Sequence, residues 1–486
     1  MIRAHGVPSD PVTKSPVEWT EDGVTISLGE QSGHMASETV DSNSNAYYLH
    51  RQAATESNAR SYPRRLPIAL RRAQGVYVED VEGRTYIDCL AGAGALALGH
   101  GHPAVMEAIE RSLAEGIPLQ TLDLTTPVKD AFVEELFASL PNEFADNARV
   151  QFCGPSGADG IEAALKLTKT ATGRRTVLAF RGAYHGMTHG ALGLTSEIGP
   201  KIGVSGLMGE VHFLPFPYSY RCPFGVGGEK GSQASIAYIA RLLDDANSGI
   251  TPPAAMIVEV VQGEGGVIPA PRDWLREIRR LTRERQIPLI IDEVQTGLGR
   301  TGTMYAFEQS EILPDVLVLS KAIGGGLPLS VVVYSADLDR WKAGAHAGTF
   351  RGNQLAMAAG IASLRFIKDH RLDQHAACMG ERLLGHLRQL QEEFPCLGDI
   401  RGRGLMLGVE MVDISREPDH LGAYPPYGDL AHRIQAECLS RGLIVELGGR
   451  QNCVVRFLPP LIIAADEIDR VAAIFGKTME VVHRVR

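Results

Sequence analysis

The chain has 486 residues, 44% of them hydrophobic and 22% charged, with a net charge of −9, which is ordinary globular composition in a chain long enough to bury a core without staples. The acidic balance argues against nucleic-acid binding, which needs a basic field; no apolar run reaches the ~18 residues of a membrane span, and the N-terminus lacks the apolar core of a secretory signal. Seven cysteines scattered from Cys89 to Cys453 without a CxxC pair fit a reducing compartment, so a cytoplasmic protein is expected.

Residues 1–60 are rich in Ser, Thr, Asp, Glu and Asn and show no sustained periodicity, which predicts a disordered or loosely docked leader. Order is expected from about Tyr62, with two short strands around a turn between Gly75 and Asp88. From 104 to 380 helix and strand alternate. Helical spacing covers Ala104 to Glu115 and Pro127 to Leu140. A third helix opens at Asp159 after Gly154-Pro-Ser-Gly157 and stops at Gly173. Continuous apolar runs at 176–180, 255–261, 288–291, 316–319 and 329–334 predict strands buried on both faces, as in a parallel sheet covered by helices. A helix from Trp274 to Arg285 lies between two of them. After a helical stretch from 355 to about 393, strands near 404–411, 443–446 and 454–457 and helices near 427–440 and 465–483 read as a smaller α+β domain. The expected division is a leader at 1–60, an N-terminal segment at 61–103 that joins the small domain, a large α/β domain at 104–380 and a C-terminal small domain at 381–486.

The residues that carry chemistry stand at the ends of those strands. Asp292 closes one apolar run and Lys321 follows another, and open α/β sheets bind ligands outside the carboxyl ends of their strands. A lysine there can act as a Schiff-base nucleophile, and an aspartate can keep a pyridine nitrogen protonated so that the ring draws electrons. Taken singly, Asp292 reads as a helix cap and Lys321 as a solvated loop residue. Gly154-Pro-Ser156-Gly157-Ala158-Asp159 opens a helix whose free N–H groups could hold an anion; its plain reading is a cap. Tyr184 in Arg181-Gly-Ala-Tyr-His185-Gly186 could stack on a flat ring or pack at a rim. Glu259-Val-Val-Gln262-Gly-Glu264-Gly-Gly266 is another strand mouth. Arg456 lies inside the apolar strand Val454-Val-Arg-Phe457, where an unpaired charge is costly. Its fork suits a carboxylate, from Glu264 or from a substrate.

Other patterns fail their tests. Gly92-Ala-Gly94 through Gly99 lacks the third glycine and the helix of a dinucleotide loop. His185 with His189, and His100 with His102, bring no third zinc ligand, so no metal site is expected. Gly225 to Ser232 does not match a P-loop, and no nucleophile elbow surrounds Ser156.

In order along the chain, the anion loop, Tyr184-His-Gly, Glu259-x-x-Gln-Gly-Glu264, Asp292-Glu-x-Gln295, Ser320-Lys321, Gly348-Thr-Phe-x-Gly-Asn353 and Arg456-x-x-Pro-Pro460 resemble the class III pyridoxal-phosphate aminotransferases over about residues 62–486. Within that class, Cys89-Leu-Ala-Gly-Ala-Gly-Ala-Leu-Ala-Leu-Gly-His100, Val150-Gln-Phe-Cys-Gly-Pro-Ser156, Tyr220-Arg-Cys-Pro-Phe-Gly225 and Gly348-Thr-Phe-Arg-Gly-Asn-Gln354 look most like the group that exchanges the terminal amine of L-2,4-diaminobutyrate with 2-oxoglutarate. The resemblance implies a fold-type I homodimer using pyridoxal 5'-phosphate, with small amine and 2-oxo acid substrates. It implies that Lys321 holds the cofactor covalently and shuttles the proton, and that Asp292 pairs with the pyridine nitrogen. Val294 would lie under the ring, Tyr184 over it, and Gln295 near its phenolic oxygen. His185 is grouped with the cofactor-binding residues. Gly157 and Ala158 would hold phosphate by backbone N–H; where many members have Thr or Ser, Ala158 supplies no hydroxyl. Thr349 would reach the phosphate across a dimer, and Glu264 would shield Arg456 until 2-oxoglutarate needs it. Ornithine or 4-aminobutyrate as the amine, a racemase or mutase, and a non-catalytic protein of the same fold stand as alternatives.

Overall fold

A computed structural model describes residues 17–20, 23–26 and 41–484, in two compact units, Met1–Arg72 with Glu79–Thr85 and Ala73–Val78 with Tyr86–Arg486. In the first unit Val17–Thr20 and Gly23–Ile26 pair as antiparallel strands. Asn45–Thr55 is a helix, capped by the Ser44 side chain, which accepts from the Tyr47 N–H. Asn45 fixes its start: Nδ2 donates to Asp80 (2.9 Å), the N–H to Glu82 (2.8 Å), and Oδ1 accepts from the Ala69 N–H (2.6 Å). Within the 1–60 segment, capping and side-chain bonds thus hold a helix at Asn45–Thr55 that apolar periodicity does not announce. The leader's residues 1–16, 21–22 and 27–40 lie outside the described residues.

The second unit is built on a seven-stranded sheet. Its strand order is Ala148–Phe152, Val331–Ser335, Val316–Leu319, Leu289–Asp292, Ala255–Val258, Val177–Phe180 and Val211–Leu214. The last five run parallel to one another, while Val331–Ser335 is antiparallel to both of its neighbours. A continuous apolar run reports burial on two faces and is silent on direction, so that reversal is not legible in the residues. The edge strand Val211–Leu214 was not expected; it is only half-buried and carries His212. Helix Gly228–Asp244 was not expected either, since its glycine-rich start resembles a loop. Trp274, on helix Arg272–Glu284, meets Phe180 and Phe216 edge-on at 5.3 and 5.5 Å. Its Nε1 donates to Ser235 Oγ at 3.2 Å, so the ring is buried without an orphaned donor.

The helical stretch after 354 is two helices, Gln354–Asp369 and Leu372–Glu393, separated by Arg371 at φ 50°. Beyond it, Leu397–Arg403, Met406–Met411, Val454–Phe457 and Glu446–Gly448 form a four-stranded antiparallel sheet. Helices Leu372–Glu393 and Gly428–Ser440 pack on it, and Ala465–Arg484 packs on both helices. The adjoining Leu443 and Ile444 pair in parallel with Ile87 and Asp88.

Candidate functional site

Four neighbouring parallel strands end at one edge of the large sheet, and their register assembles the site. Asp292 is the last residue of its strand, opposite Val318, so Lys321 emerges beside it. On the other side Ile291 pairs with Val258, which puts Glu259 next to Asp292. One strand further, Val177–Phe180 feeds the loop that carries Tyr184 and His185. A cavity of about 300 Å³ opens there, lined by residues 156–158, 184–187, 259, 264, 292, 294–296 and 321. Most of the expected site residues line it. Arg456 stands behind the wall, bonded to two lining residues. Thr349 does not line it; it is exposed, and its carbonyl accepts from Gln120 Nε2 at 2.5 Å.

Lys321 begins a short 3₁₀ turn at φ 51°, the left-handed region, a conformation that costs a non-glycine residue roughly 1–3 kcal/mol. Burial pushes its amine below the usual lysine range; Glu264 pulls it back most, Arg456 pushes it down again, and Asp292 and Glu259 pull it up. A depressed amine is neutral more often near pH 7, as a nucleophile or proton acceptor must be.

Asp292 is buried, and its Oδ2 pairs with His185 Nδ1 at 2.7 Å while Oδ1 accepts from the Val294 N–H at 3.1 Å. His185 is anchored in turn: its N–H donates to Thr195 Oγ1 at 3.0 Å, and that hydroxyl donates to Gly186 O at 3.0 Å. Its other ring nitrogen, Nε2, is buried without a partner. His185 therefore serves the site as a brace for Asp292, a role that histidine spacing alone does not reveal.

Helix Gly157–Thr172 points its first turn at the cavity. Ser156 and Asp159 form a reciprocal capping box, and the Gly160 N–H turns back to Ser156 O. That leaves the N–H groups of Gly157 and Ala158 to meet an anion at the positive end of the helix. Glycine is required at 157, because a Cβ there would lie 2.7 Å from Val294 Cγ1. Tyr184 faces the same space; burial, then Glu264, Glu197 and Glu259, hold its phenol above the ordinary range and hence neutral.

Arg456 is buried between the Met406–Met411 and Glu446–Gly448 strands. It donates from one terminal nitrogen to Glu264 Oε1 at 2.7 Å and from the other to Gln295 Oε1 at 2.9 Å. Gln295 Nε2 donates to Ala93 O at 3.0 Å, so the Gln295 amide is used at both ends and bridges to the arginine. Glu259, which its motif does not by itself mark as a site residue, joins the cavity wall. It is buried and accepts from the Tyr184 and Gly263 N–H groups, each at 3.0 Å. Its strand-end position was the available signal.

The cavity thus combines a depressed amine, a braced carboxylate, an anion-ready helix start and a carboxylate-reading guanidinium that is already paired. Those are the groups a phosphorylated pyridine aldehyde and an acidic substrate call for. Among proteins of known family, residues 58–479 match the family described as aminotransferase class-III, and the chain belongs to it. The diaminobutyrate–2-oxoglutarate aminotransferase of Rhizobium meliloti is 57% identical over 437 residues, covering 90% of this chain and 93% of that protein. The enzyme of the same name from Haemophilus influenzae is 52% identical over 415 residues, covering 85% and 91%. Among solved structures, an ornithine aminotransferase from Toxoplasma gondii, reported with partial occupancy of pyridoxal phosphate at its active site, superposes with a TM-score of 0.77 at 26% identity over 91% of this chain and 96% of that one. A thermostable (S)-enantioselective ω-transaminase from Thermomicrobium roseum gives 0.79 at 29% identity, over 90% and 98%.

Proposed function

We propose that this chain transfers the terminal amino group of L-2,4-diaminobutyrate to 2-oxoglutarate, giving L-aspartate 4-semialdehyde and L-glutamate, with pyridoxal 5'-phosphate as cofactor. The observation that carries the reading is the buried Arg456 paired with Glu264 beside Lys321. It is a carboxylate site that an acid can close when the amine donor binds and open for 2-oxoglutarate. The names of the Rhizobium and Haemophilus relatives support the diamine as donor over ornithine or 4-aminobutyrate.

Bound pyridoxal phosphate supplies an electron sink for the pair left when the substrate carbon loses its proton. Gly157 and Ala158 would hold its phosphate, Asp292 braced by His185 its ring nitrogen, and Val294 and Tyr184 its two faces, with Gln295 at the rim. Lys321 would hold the cofactor and carry the proton between the two carbons that exchange it. Glu264 and Arg456 would sort the substrates. A screen of amine donors with 2-oxoglutarate, reading glutamate, tests the assignment. Diaminobutyrate is expected to lead; a preference for ornithine or 4-aminobutyrate would move the chain to another branch of the family.

The working unit is proposed to be a cytoplasmic homodimer. Its seven cysteines form no disulfide, which suits a reducing compartment. No helix among the described residues is long and apolar enough to cross a membrane. Thr349 is exposed next to Phe350, which is 75% exposed, and the segment that bonds Thr349 through Gln120 also exposes Leu119, Leu122 and Leu124. Contiguous exposed apolar side chains suit burial against a second copy, which would bring Thr349 to the other copy's phosphate. Mixing Lys321→Ala chains with Thr349→Ala chains is expected to restore activity above either variant alone. An active monomer in sedimentation would overturn the proposal.

A further inference from the structure

We propose that Glu259 is a positioning residue that couples the two sides of the cavity, holding Tyr184 and the turn before Glu264 through one carboxylate. The inference rests on the transaminase reading above. Each carboxylate oxygen takes a different backbone amide: Oε1 accepts from Tyr184 and Oε2 from Gly263, both at 3.0 Å. Tyr184 lines the cavity beside Asp292, and Gly263 precedes the residue that masks Arg456. The Gln295 amide lies directly against the turn at Gly263, where a Cβ would meet Gln295 Oε1 at 2.1 Å. A small shift of Glu259 is therefore passed to Glu264 and Gln295 together, the two acceptors that hold Arg456.

Two backbone amides would be served as well by a group of fixed charge state, yet the chain places an ionisable one at 7% exposure. The titratable groups that face it are Tyr184, His185, Asp292 and Lys321. Burial raises its pKa to about 7, with His185 pulling it down and Asp292 pushing it up. Once protonated, one oxygen carries a hydrogen and accepts less well, so one of the two amides is held less firmly. A carboxyl that only closed a strand end would change stability on removal and leave the balance between substrates alone.

Glu259→Gln in the cofactor-loaded enzyme separates these cases, since its amide can accept at one position only. The readouts are the cofactor's visible absorbance, single-turnover half-reactions with diaminobutyrate and with 2-oxoglutarate, and their pH profiles. The cofactor band should persist. The ratio of the two half-reaction rates should shift roughly tenfold, the scale of one charge-assisted hydrogen bond, and any limb near pH 7 due to this group should vanish. Glu259→Asp keeps the charge but not the reach, so it should alter the ratio while keeping a pH limb. A folded Gln variant with an unchanged ratio and unchanged pH profile overturns the proposal; if that variant does not fold, an unchanged ratio in Glu259→Asp does so. Wild-type protein that forms no glutamate from any amine would sink the transaminase reading instead.

Discussion

Lys321→Ala is expected to abolish turnover while leaving a folded protein that still binds pyridoxal phosphate. The groups proposed to hold phosphate and ring are the Gly157 and Ala158 amides, Asp292 with His185, and Val294, and none of them depends on the Lys321 side chain. What leaves is the one amine at the strand mouth whose pKa burial depresses. Positioned proton transfer alone contributes about 10²–10⁴-fold to a rate, and the covalent anchorage goes with it, so the loss should be at least that large. Stability should not fall and is expected to rise slightly, because the substitution removes a desolvated amine that opposes folding at this position, while the left-handed φ of 51° costs alanine as it costs lysine. The checks are glutamate formation, cofactor binding by absorbance and the melting temperature. In wild-type protein, borohydride should fix the cofactor to the peptide that carries Lys321. Labelling of another lysine, or full activity in the variant, would remove Lys321 from the mechanism.

The large sheet and its two charged strand ends were legible because continuous apolar runs have one cheap solution, burial on both faces, and Asp292 and Lys321 interrupt those runs at their carboxyl ends. The helix start at Gly157 was legible from its capping residues. Contacts between segments distant in the chain were not. His185 bonds Asp292 across 107 positions, and Gln295 bridges Ala93 to Arg456 across 202 and 161 positions; no local spacing encodes such pairs. The antiparallel turn of Val331–Ser335 escaped for a related reason, since hydrophobicity specifies which side chains are buried and leaves strand direction to the connections. Glu259 escaped because a carboxylate that serves two backbone amides looks in sequence like any acid at a strand end.

Arg456→Lys is expected to act on one half-reaction far more than on the other. The guanidinium is 1% exposed and Glu264 is 37% exposed, so when the pair opens it is the glutamate that moves. Its backbone stays, because the Gly449 N–H donates to Glu264 O at 2.8 Å and the glycines on either side leave no room for a Cβ. The motion is therefore a side-chain swing that uncovers a fixed arginine. Arg456 is seated closely: a Cβ at Gly448 would lie 2.8 Å from its Cδ. A lysine there keeps the charge but loses the fork that can take a carboxylate with two parallel bonds. Losing one charged hydrogen bond costs ~1.5–3 kcal/mol, which is roughly 10- to 150-fold in kcat/KM for 2-oxoglutarate. The diamine half-reaction does not engage the arginine with a carboxylate in this scheme and should change by less than about threefold, within ~0.7 kcal/mol. Glu264→Ala should do the reverse. It leaves a buried positive charge unmasked, which favours glutamate as donor and disfavours a substrate that brings its own amine toward that charge. Single-turnover absorbance changes with diaminobutyrate and with glutamate, followed by the return step with 2-oxoglutarate, measure each arm separately. Equal losses in both half-reactions for either variant would make the pair a structural tie between the Glu264 turn and the Val454–Phe457 strand.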